Sequence, residues 1–397
     1  MALAVRQSEK ARQTDLKVAT SAARAVKTVG VDQMALTRVA ADAGFSSGAI
    51  YARCDDRSEL VVLAWEKSFW PMLSEIMSAL VVAVINERPG DIARVRDLFV
   101  SATSPDAVPD LGSAIEIIVS SRRDETIAEV VQRDINGLLD DHGVGPSTDG
   151  ANRQAVVSAV ATLFGASLLN SVHDPDLIAP IDPSALFDMF TKTVKSATKP
   201  PKTTASLRGS TPYVFPTTFD EVRDALISAS EYVIARSGVH RATVSRIARR
   251  AGVSVGAIYG LYENKDALVS DCIHVLFPPQ TRQDAEDWIR VFTADDQRAV
   301  VGDILRNYMS DNLEQWRRFR LETVIAARHN GLIAEQIAVY AQNVRGLIVE
   351  AATRAPARAA IRPDTGLSSR SGVIGLSIME IVDPTIRTLD WRWIPLR

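Results

Sequence analysis

Cysteine and excess charge are both scarce in this chain, and each scarcity excludes a class of protein. Only two of the 397 residues are cysteines, Cys54 and Cys272, and they lack the spacing of a zinc site or a disulfide framework. We therefore expect reduced thiols, as in an intracellular protein. The formal net charge of −3 argues against a globally basic surface, so any nucleic-acid-binding patch has to be local.

Long apolar runs and catalytic patterns are missing as well. No run of 18 consecutive apolar residues occurs, and Met1–Lys17 carries too many charges for a signal peptide. We expect a soluble, cytoplasmic protein with no membrane partner. None of the five histidines lies at a metal-site or triad spacing, and no glycine-rich loop follows a strand. The sequence thus predicts no enzyme, no catalytic residue, no metal and no cofactor.

One short motif occurs twice. Residues 43–51 and residues 251–259 agree at seven of nine positions. The match extends without a gap over 30–61 and 238–269, where 13 of 32 positions are identical. A repeat with a period of about half the chain indicates two copies of one domain rather than a solenoid.

Each copy begins with a predicted amphipathic helix. In the first copy apolar residues recur at helical spacing over Asp15–Val29, after a polar N-terminal arm that we expect to be mobile, and Gly30 ends the helix. In the second copy Thr218 and Glu221 predict a capping box at the start of the helix, and Gly238 predicts its end.

Two shorter helices follow in each copy. The first covers 36–43 or 244–251, and Gly44 or Gly252 supplies the turn. Ser46 and Ser254 are suited to cap the next helix, which presents small residues at its N-terminal end. Two short helices joined by such a turn form a helix-turn-helix, whose second helix enters the major groove of DNA.

The second copy resembles the DNA-binding head of tetracycline-repressor (TetR) family regulators. The resemblance is carried by Thr243, Ile247-Ala248, Ala251-Gly252-Val253-Ser254, Gly256, Tyr259, Tyr262, Lys265 and Leu268. The first copy departs from this pattern, because Ala35, Cys54 and Arg57 replace a threonine, an aromatic residue and a lysine. A missing cap at Ala35 would cost about 1 kcal/mol unless Asp32 substitutes. We therefore expect the first head to bind DNA more weakly or differently.

The resemblance places the candidate DNA contacts in the two helix-turn-helix segments. Phosphate contacts are expected from Thr37, Tyr51, Arg57, Ser245, Tyr259 and Lys265. Base contacts are expected from Arg38, Ser47, Ala49, Arg246, Val255 and Ala257, with a solvated helix face as the alternative for both arginines. Ser46, Gly48, Thr243, Ser254 and Gly256 complete the predicted surface. Since Ser47 replaces Val255, we expect a nearly palindromic operator with unequal half-sites.

The predicted fold is all-α, with two tandem units. Their predicted segments are a first head (1–62), a first helical regulatory domain (63–195), a linker rich in proline, serine and threonine (196–216), a second head (217–270) and a second regulatory domain (271–397). By the resemblance, apolar helices at 155–172 and 371–386 would pair in a four-helix bundle within one chain, as an intramolecular pseudo-dimer. Ordinary core helices are the alternative.

Two functions are consistent with these features. The first is a transcriptional regulator that binds double-stranded operator DNA. The resemblance implies that it is a repressor and that a small apolar effector releases it from the DNA. The second is a ligand-binding or partner-binding helical protein with a degenerate first head. Aromatic residues such as Trp65, Phe69, Trp316 and Phe319 would line effector pockets or, as we favour, pack in the core. The ligand-binding residues are unknown at this stage.

Overall fold

The computed structural model describes residues 2–86, 89–102, 108–172, 213–294, 297–354 and 363–391, and every regular element in these ranges is a helix. The fold is therefore all-α, as predicted. Most of the predicted linker at 196–216 lies outside the described residues.

The first half of the chain contains nine α-helices in the described ranges. They are α1 (Ala2–Val29), α2 (Leu36–Asp42), α3 (Ser47–Tyr51), α4 (Arg57–Ala64), α5 (Trp70–Asn86), α6 (Pro89–Ala102), α7 (Val108–Ser121), α8 (Glu125–Asp141) and α9 (Ala151–Ser171), with one π-helical turn at Trp65–Phe69 between α4 and α5.

The second half, as described, repeats this pattern. Its helices are α10 (Glu221–Arg241), α11 (Val244–Ala251), α12 (Val255–Leu261), α13 (Lys265–Thr293), α14 (Gln297–Tyr308), α15 (Glu314–Ala327), α16 (Gly331–Arg354) and α17 (Pro363–Val382), with 3₁₀ turns at Asp311–Leu313 and Pro384–Thr388. The single helix α13 takes the place of α4, the π turn and α5 of the first half.

Two predicted helix starts are wrong. Helix α1 begins at Ala2, so the N-terminal arm continues the first helix instead of preceding it. Helix α10 begins after Asp220, whose carboxylate accepts the N–H groups of Val222 and Arg223 (both 3.0 Å). Thr218 is not its cap, because its hydroxyl donates to the carboxylate of Asp224 (2.7 Å). The aspartate nearer the helix has displaced the predicted capping box.

The predicted glycine stops are confirmed. Gly30 has a φ of 81° and follows the last residue of α1. Gly238 has a φ of 78° and interrupts α10 three residues before its end. Backbone with a positive φ is readily adopted only by glycine. Gly30 and Gly238 therefore fix the direction in which the chain leaves the first helix of each copy.

Four helices, two from each half, pack together at the centre of the molecule. They are α7 and α9 from the first half and α15 and α17 from the second. The pairing of α9 with α17 is the most extensive helix contact, and it joins the two apolar segments predicted at 155–172 and 371–386. Buried apolar side chains of both halves form one continuous core, which includes Trp65, Phe69, Trp316 and Phe319. These aromatic residues are core, as we favoured.

Helices α9 and α17 cross at two glycines. A Cβ atom on Gly165 would overlap the backbone oxygen of Ser371, and one on Gly375 would overlap the backbone oxygen of Ala161. The backbones therefore touch directly at this point, which no larger residue permits without moving a helix.

Ion pairs connect the halves in a reciprocal pattern. Glu116 in α7 and Glu322 in α15 occupy equivalent positions, 206 residues apart. Arg122 of the first half pairs with Glu322 (2.7 Å), and Arg328, the counterpart of Arg122, pairs with Glu116. Both carboxylates are buried. Equivalent positions of the two halves thus exchange ion pairs across the central helices.

Two described helices are long and apolar enough to cross a membrane by length and composition, over 57–86 and 152–171. The second is mostly buried inside the protein, in the α9–α17 contact, and the first contributes Trp65, Phe69 and Leu73 to the core. Core helices meet the same criterion, so their apolar character is explained by packing.

Candidate nucleic-acid interface

The second helix-turn-helix is held together by local caps. Thr243 caps α11 by accepting the N–H of Arg246 (3.3 Å), and Ser254 caps α12 by accepting the N–H of Ala257 (3.1 Å). Gly252 turns the chain between them with a φ of 73°. Ile258 lies on the inner face of α12 and is fully buried. The turn and the buried isoleucine fix the angle between the two helices and leave the N-terminal end of α12 facing solvent.

Most of the predicted contact residues of this head are exposed. The exposed set comprises Thr243, Ser245, Arg246, Ser254, Val255, Gly256 and Tyr259, while Ala257 is partly covered. Val255 and Tyr259 are large side chains left 39% and 57% exposed, which is unusual for residues that could pack inward. The structure thus brings the predicted residues together on one open face.

Lys265 is engaged within the protein. Its ammonium group donates to the carbonyls of Val239 (2.9 Å) and His240 (3.3 Å), and burial lowers its pKa. Arg57 holds the same place in the first copy and donates to the carbonyl of Asp32 (2.6 Å). Both cations therefore fasten the start of the fourth helix to the end of the first, and their contact with a DNA phosphate stays a prediction.

The first copy has the same backbone with weaker local support. Ser46 caps α3 by accepting the N–H of Ala49 (3.3 Å), but Ala35 gives α2 no side-chain cap. Asp32 does not substitute, since its carboxylate binds Arg123 and Arg241 (both 2.9 Å). The exposed predicted residues of this copy are Thr37, Arg38, Ser46, Ser47, Gly48 and Tyr51, and Ala49 is partly covered.

The two copies differ in the charge that their second helices present. Helix α11 exposes Arg246, Arg249 and Arg250. The matching positions of α2 are Arg38, Ala41 and Asp42, and the Asp42 carboxylate is held by Arg24 (2.9 Å) and the Ser21 hydroxyl (2.6 Å). The second helix of the motif therefore presents three exposed arginines in the second copy and one in the first.

The two helix-turn-helix units are joined through a polar contact zone. Arg241, at the end of α10, pairs with Asp32 (2.9 Å), which follows α1. A cavity of about 340 Å³ lies beside this pair and is lined by Gly30, Glu116, His240 and His329, among others. Burial and the nearby Lys265 ammonium lower the pKa of His240. Sequence reasoning missed the Asp32–Arg241 pair, because nothing in the sequence links residues 209 positions apart.

No group of three or more potential metal ligands occurs among the described residues. Cys54 and Cys272 are both buried and free, and burial raises the pKa of each thiol. The thiols are therefore protonated and inert, which agrees with their reading as reduced cysteines.

This geometry defines a helix-turn-helix domain of the kind that binds DNA. Residues 226–272 match the family model described as "Bacterial regulatory proteins, tetR family". This segment, the second copy, is thus a TetR-type DNA-binding domain, and it indicates a transcriptional regulator, a class that is typically not enzymatic and acts inside the cell. A comparison with curated proteins gives no match. The family match does not extend to the first copy.

Proposed function

We propose that this chain is a sequence-specific transcriptional regulator that binds double-stranded operator DNA with both helix-turn-helix units and represses until a small-molecule effector releases it. The observation that carries the proposal is the open face of the second head. There a TetR-type domain exposes Arg246, Val255 and Tyr259 beside two further arginines of α11.

Three observations support a pseudo-dimer formed within one chain. The two heads repeat in sequence without a gap over 30–61 and 238–269. The central helices α7 and α9 pack on α15 and α17, and the Glu116 and Glu322 ion pairs are exchanged between the halves. A dimer of identical subunits would have the same reciprocity. We therefore assign 1–62 and 217–270 as heads, 63–195 and 271–397 as regulatory domains, and 196–216 as the linker.

The operator that fits this arrangement is nearly palindromic with unequal half-sites. Two-fold readers contact half-sites spaced by about one helical turn of DNA or multiples of it. The second head offers Val255, whose methyl groups suit a thymine methyl, where the first head offers the Ser47 hydroxyl. The second head also brings more cations to the phosphates.

The test is selection of bound genomic fragments, followed by footprinting and a salt titration on the selected duplex. We expect two protected half-sites and an affinity that falls steeply with salt, because each neutralised phosphate releases counterions. Tyr259→Ala and Tyr51→Ala, made separately, should each reduce protection of a different half-site. Arg57 and Lys265 are unsuitable for this test, since their loss would also loosen the heads.

A second candidate is a protein whose first head does not bind DNA. The surface of α2 favours it, because Ala41 and Asp42 stand where the second copy has Arg249 and Arg250, so α2 offers fewer cations to phosphate. In that case only one half-site would be protected, and Tyr51→Ala would have no effect. A salt-independent or absent duplex interaction would contradict both candidates and leave the partner-binding alternative.

A further inference from the structure

Arg320 differs from the other arginines of its region. It lies on α15 and is only 4% exposed, yet no carboxylate of the described residues lies within ion-pair distance of it. Its neighbours are paired: Arg317 with Glu380 (3.0 Å), Arg318 with Glu314, and Arg387 with Glu314 (3.0 Å), Asp311 (2.7 Å) and Glu380.

The side chains in contact with the Arg320 guanidinium are the aromatic residues Trp316 and Tyr308. The guanidinium lies over the rings of Trp316 (4.6 Å) and Tyr308 (5.4 Å) and donates to the Tyr308 hydroxyl. That hydroxyl shares a hydrogen bond with Ser377 (2.6 Å). The Arg320 Nε–H and the Trp316 indole N–H have no acceptor among the described residues. The four side chains are at most 5% exposed.

A buried cation in this setting retains its charge. A guanidinium does not lose its proton in proteins, and leaving it in the interior without a counter-ion is costly. The two rings recover part of that cost through their negative faces. They cannot accept the unpaired N–H groups, which an anion would satisfy.

The first half has no equivalent of this cluster. With the offset of 206 that relates Glu116 to Glu322, Arg320 corresponds to Ala114 and Trp316 to Asp110. Ala114 is fully buried in the same central helix packing. The shared fold therefore does not require an arginine at this place.

We propose that Arg320 anchors a small organic carboxylate in the second half of the chain. The carboxylate would pair with the guanidinium, whose planar fork matches its geometry, and the apolar part of the ligand would lie against Trp316 and Tyr308. The site lies between α14, α15 and α17, and two of these helices form the contact with the first half. If the carboxylate is the effector, this inference rests on the proposed function; the binding itself does not.

The experiment measures binding to the full chain without DNA, by calorimetry and thermal unfolding. The probes are acetate, hexanoate and benzoate, with benzamide as the neutral counterpart of benzoate and inorganic phosphate as a different anion. We expect hexanoate or benzoate to bind and to raise the Tm, and benzamide to have no effect. Arg320→Met should weaken that binding at least about tenfold, because a charge-assisted contact is lost.

Arg318→Met is the matched control, because Arg318 lies two residues away on α15, is partly exposed and is paired with Glu314. It should leave carboxylate binding unchanged. Without ligand, Arg320→Met should keep or raise the Tm, since it removes an unpaired buried charge. A clear drop in Tm would assign Arg320 a purely structural role and overturn the proposal. So would equal binding of benzamide, a response to phosphate alone, or no response to any carboxylate at millimolar concentration.

Failure of this proposal and failure of the proposed function are distinguishable. Carboxylate binding that depends on Arg320, in a chain that ignores duplex DNA, would uphold the anion site and contradict the regulator. Duplex binding in a chain with no carboxylate response would do the reverse.

Discussion

Helix α11 of the second head exposes Arg246, Arg249 and Arg250, whereas the matching residues of α2 in the first head are Arg38, Ala41 and Asp42. The backbones of the two heads agree at their glycine turns and serine caps, so the difference lies in surface chemistry. Residues that set the local fold are similar in both copies, and the exposed residues that we propose to contact DNA have diverged. One chain can thereby present two surfaces of unlike charge on similar backbones, which a dimer of identical subunits cannot do.

The largest losses of stability should come from the two buried carboxylates that join the halves, Glu116 and Glu322. If their contacts are equivalent, the two losses should be similar. We expect Glu322→Ala and Glu116→Ala to cost about 3–5 kcal/mol each, since the first leaves Arg122 and the second leaves Arg328 without a counter-ion. Urea unfolding measures the cost. Glu335→Ala and Glu129→Ala, an exposed equivalent pair, are the controls and should stay within about 0.5 kcal/mol. Costs as small as those of the controls would show that the halves do not depend on these pairs.

Glu231 should give the second head a pH dependence that the first head lacks. It is buried in α10, where the first copy has Ala23, and burial raises its pKa to about 7 although Gln315 donates to it (3.0 Å). The folded state therefore holds a proton that the unfolded state releases, and stability should fall as pH rises from about 4.5 to about 7. The loss from this group should reach about 3 kcal/mol.

The measurement for Glu231 is the free energy of unfolding of the wild type and of Glu231→Gln across this range. The difference between the two proteins isolates the Glu231 carboxyl group. Burial raises the pKa values of the neighbouring Tyr213 and Cys272, so neither of them ionises in this pH range. A parallel pH dependence of both proteins would contradict the prediction.

The charge difference between the heads should appear in the salt dependence of DNA binding. Replacing Arg246, Arg249 and Arg250 with alanine should lower the slope of log affinity against log salt by up to about 2.7, at about 0.9 per phosphate contact. Arg38→Ala should lower it by about 0.9 at most. Titration of the selected duplex with each variant checks this. Equal slopes for the two variants would mean that the heads contact DNA alike.

The smallest effects concern the helix caps, and they should have opposite signs in the two copies. Ala35→Thr should restore a cap to α2 and stabilise the protein by about 1 kcal/mol, whereas Thr243→Ala should remove the cap of α11 and cost about as much. Thermal unfolding of both variants tests this. No gain from Ala35→Thr would show that the first head has adapted to the missing cap.

The features that could be predicted from the sequence are those with local causes. The serine caps and the glycine stops depend on neighbours within a few residues, so Ser254 and Gly238 were readable. The start of α10 differs from the prediction because Asp220 accepts the first N–H groups of the helix, while Asp224 accepts the hydroxyl of Thr218. The contacts of Lys265 and Arg57 within the protein could not be predicted, because the carbonyls that they bind lie about 25 positions away in the chain. Their contact with DNA stays a prediction.

Contacts between the halves were beyond the reach of the pattern itself. The repeat showed that Glu116 corresponds to Glu322, but not that each would face an arginine of the other half. Arg320 carried no signal at all, since a charged residue on an amphipathic helix normally faces solvent. Only its burial beside Trp316 and Tyr308 sets it apart.

The crossing of α9 and α17 at Gly165 and Gly375 limits how the molecule can move. Main-chain atoms are already in van der Waals contact there, so the helices cannot come closer, and the surrounding core opposes their separation. The motion left to α9 and α17 is a rotation of one helix relative to the other about their crossing point. A small change of angle at this point would be magnified at the distant helices α3 and α12. When the selected duplex is added, spin labels on α3 and α12 should therefore report altered spacing, while labels flanking the two glycines stay fixed.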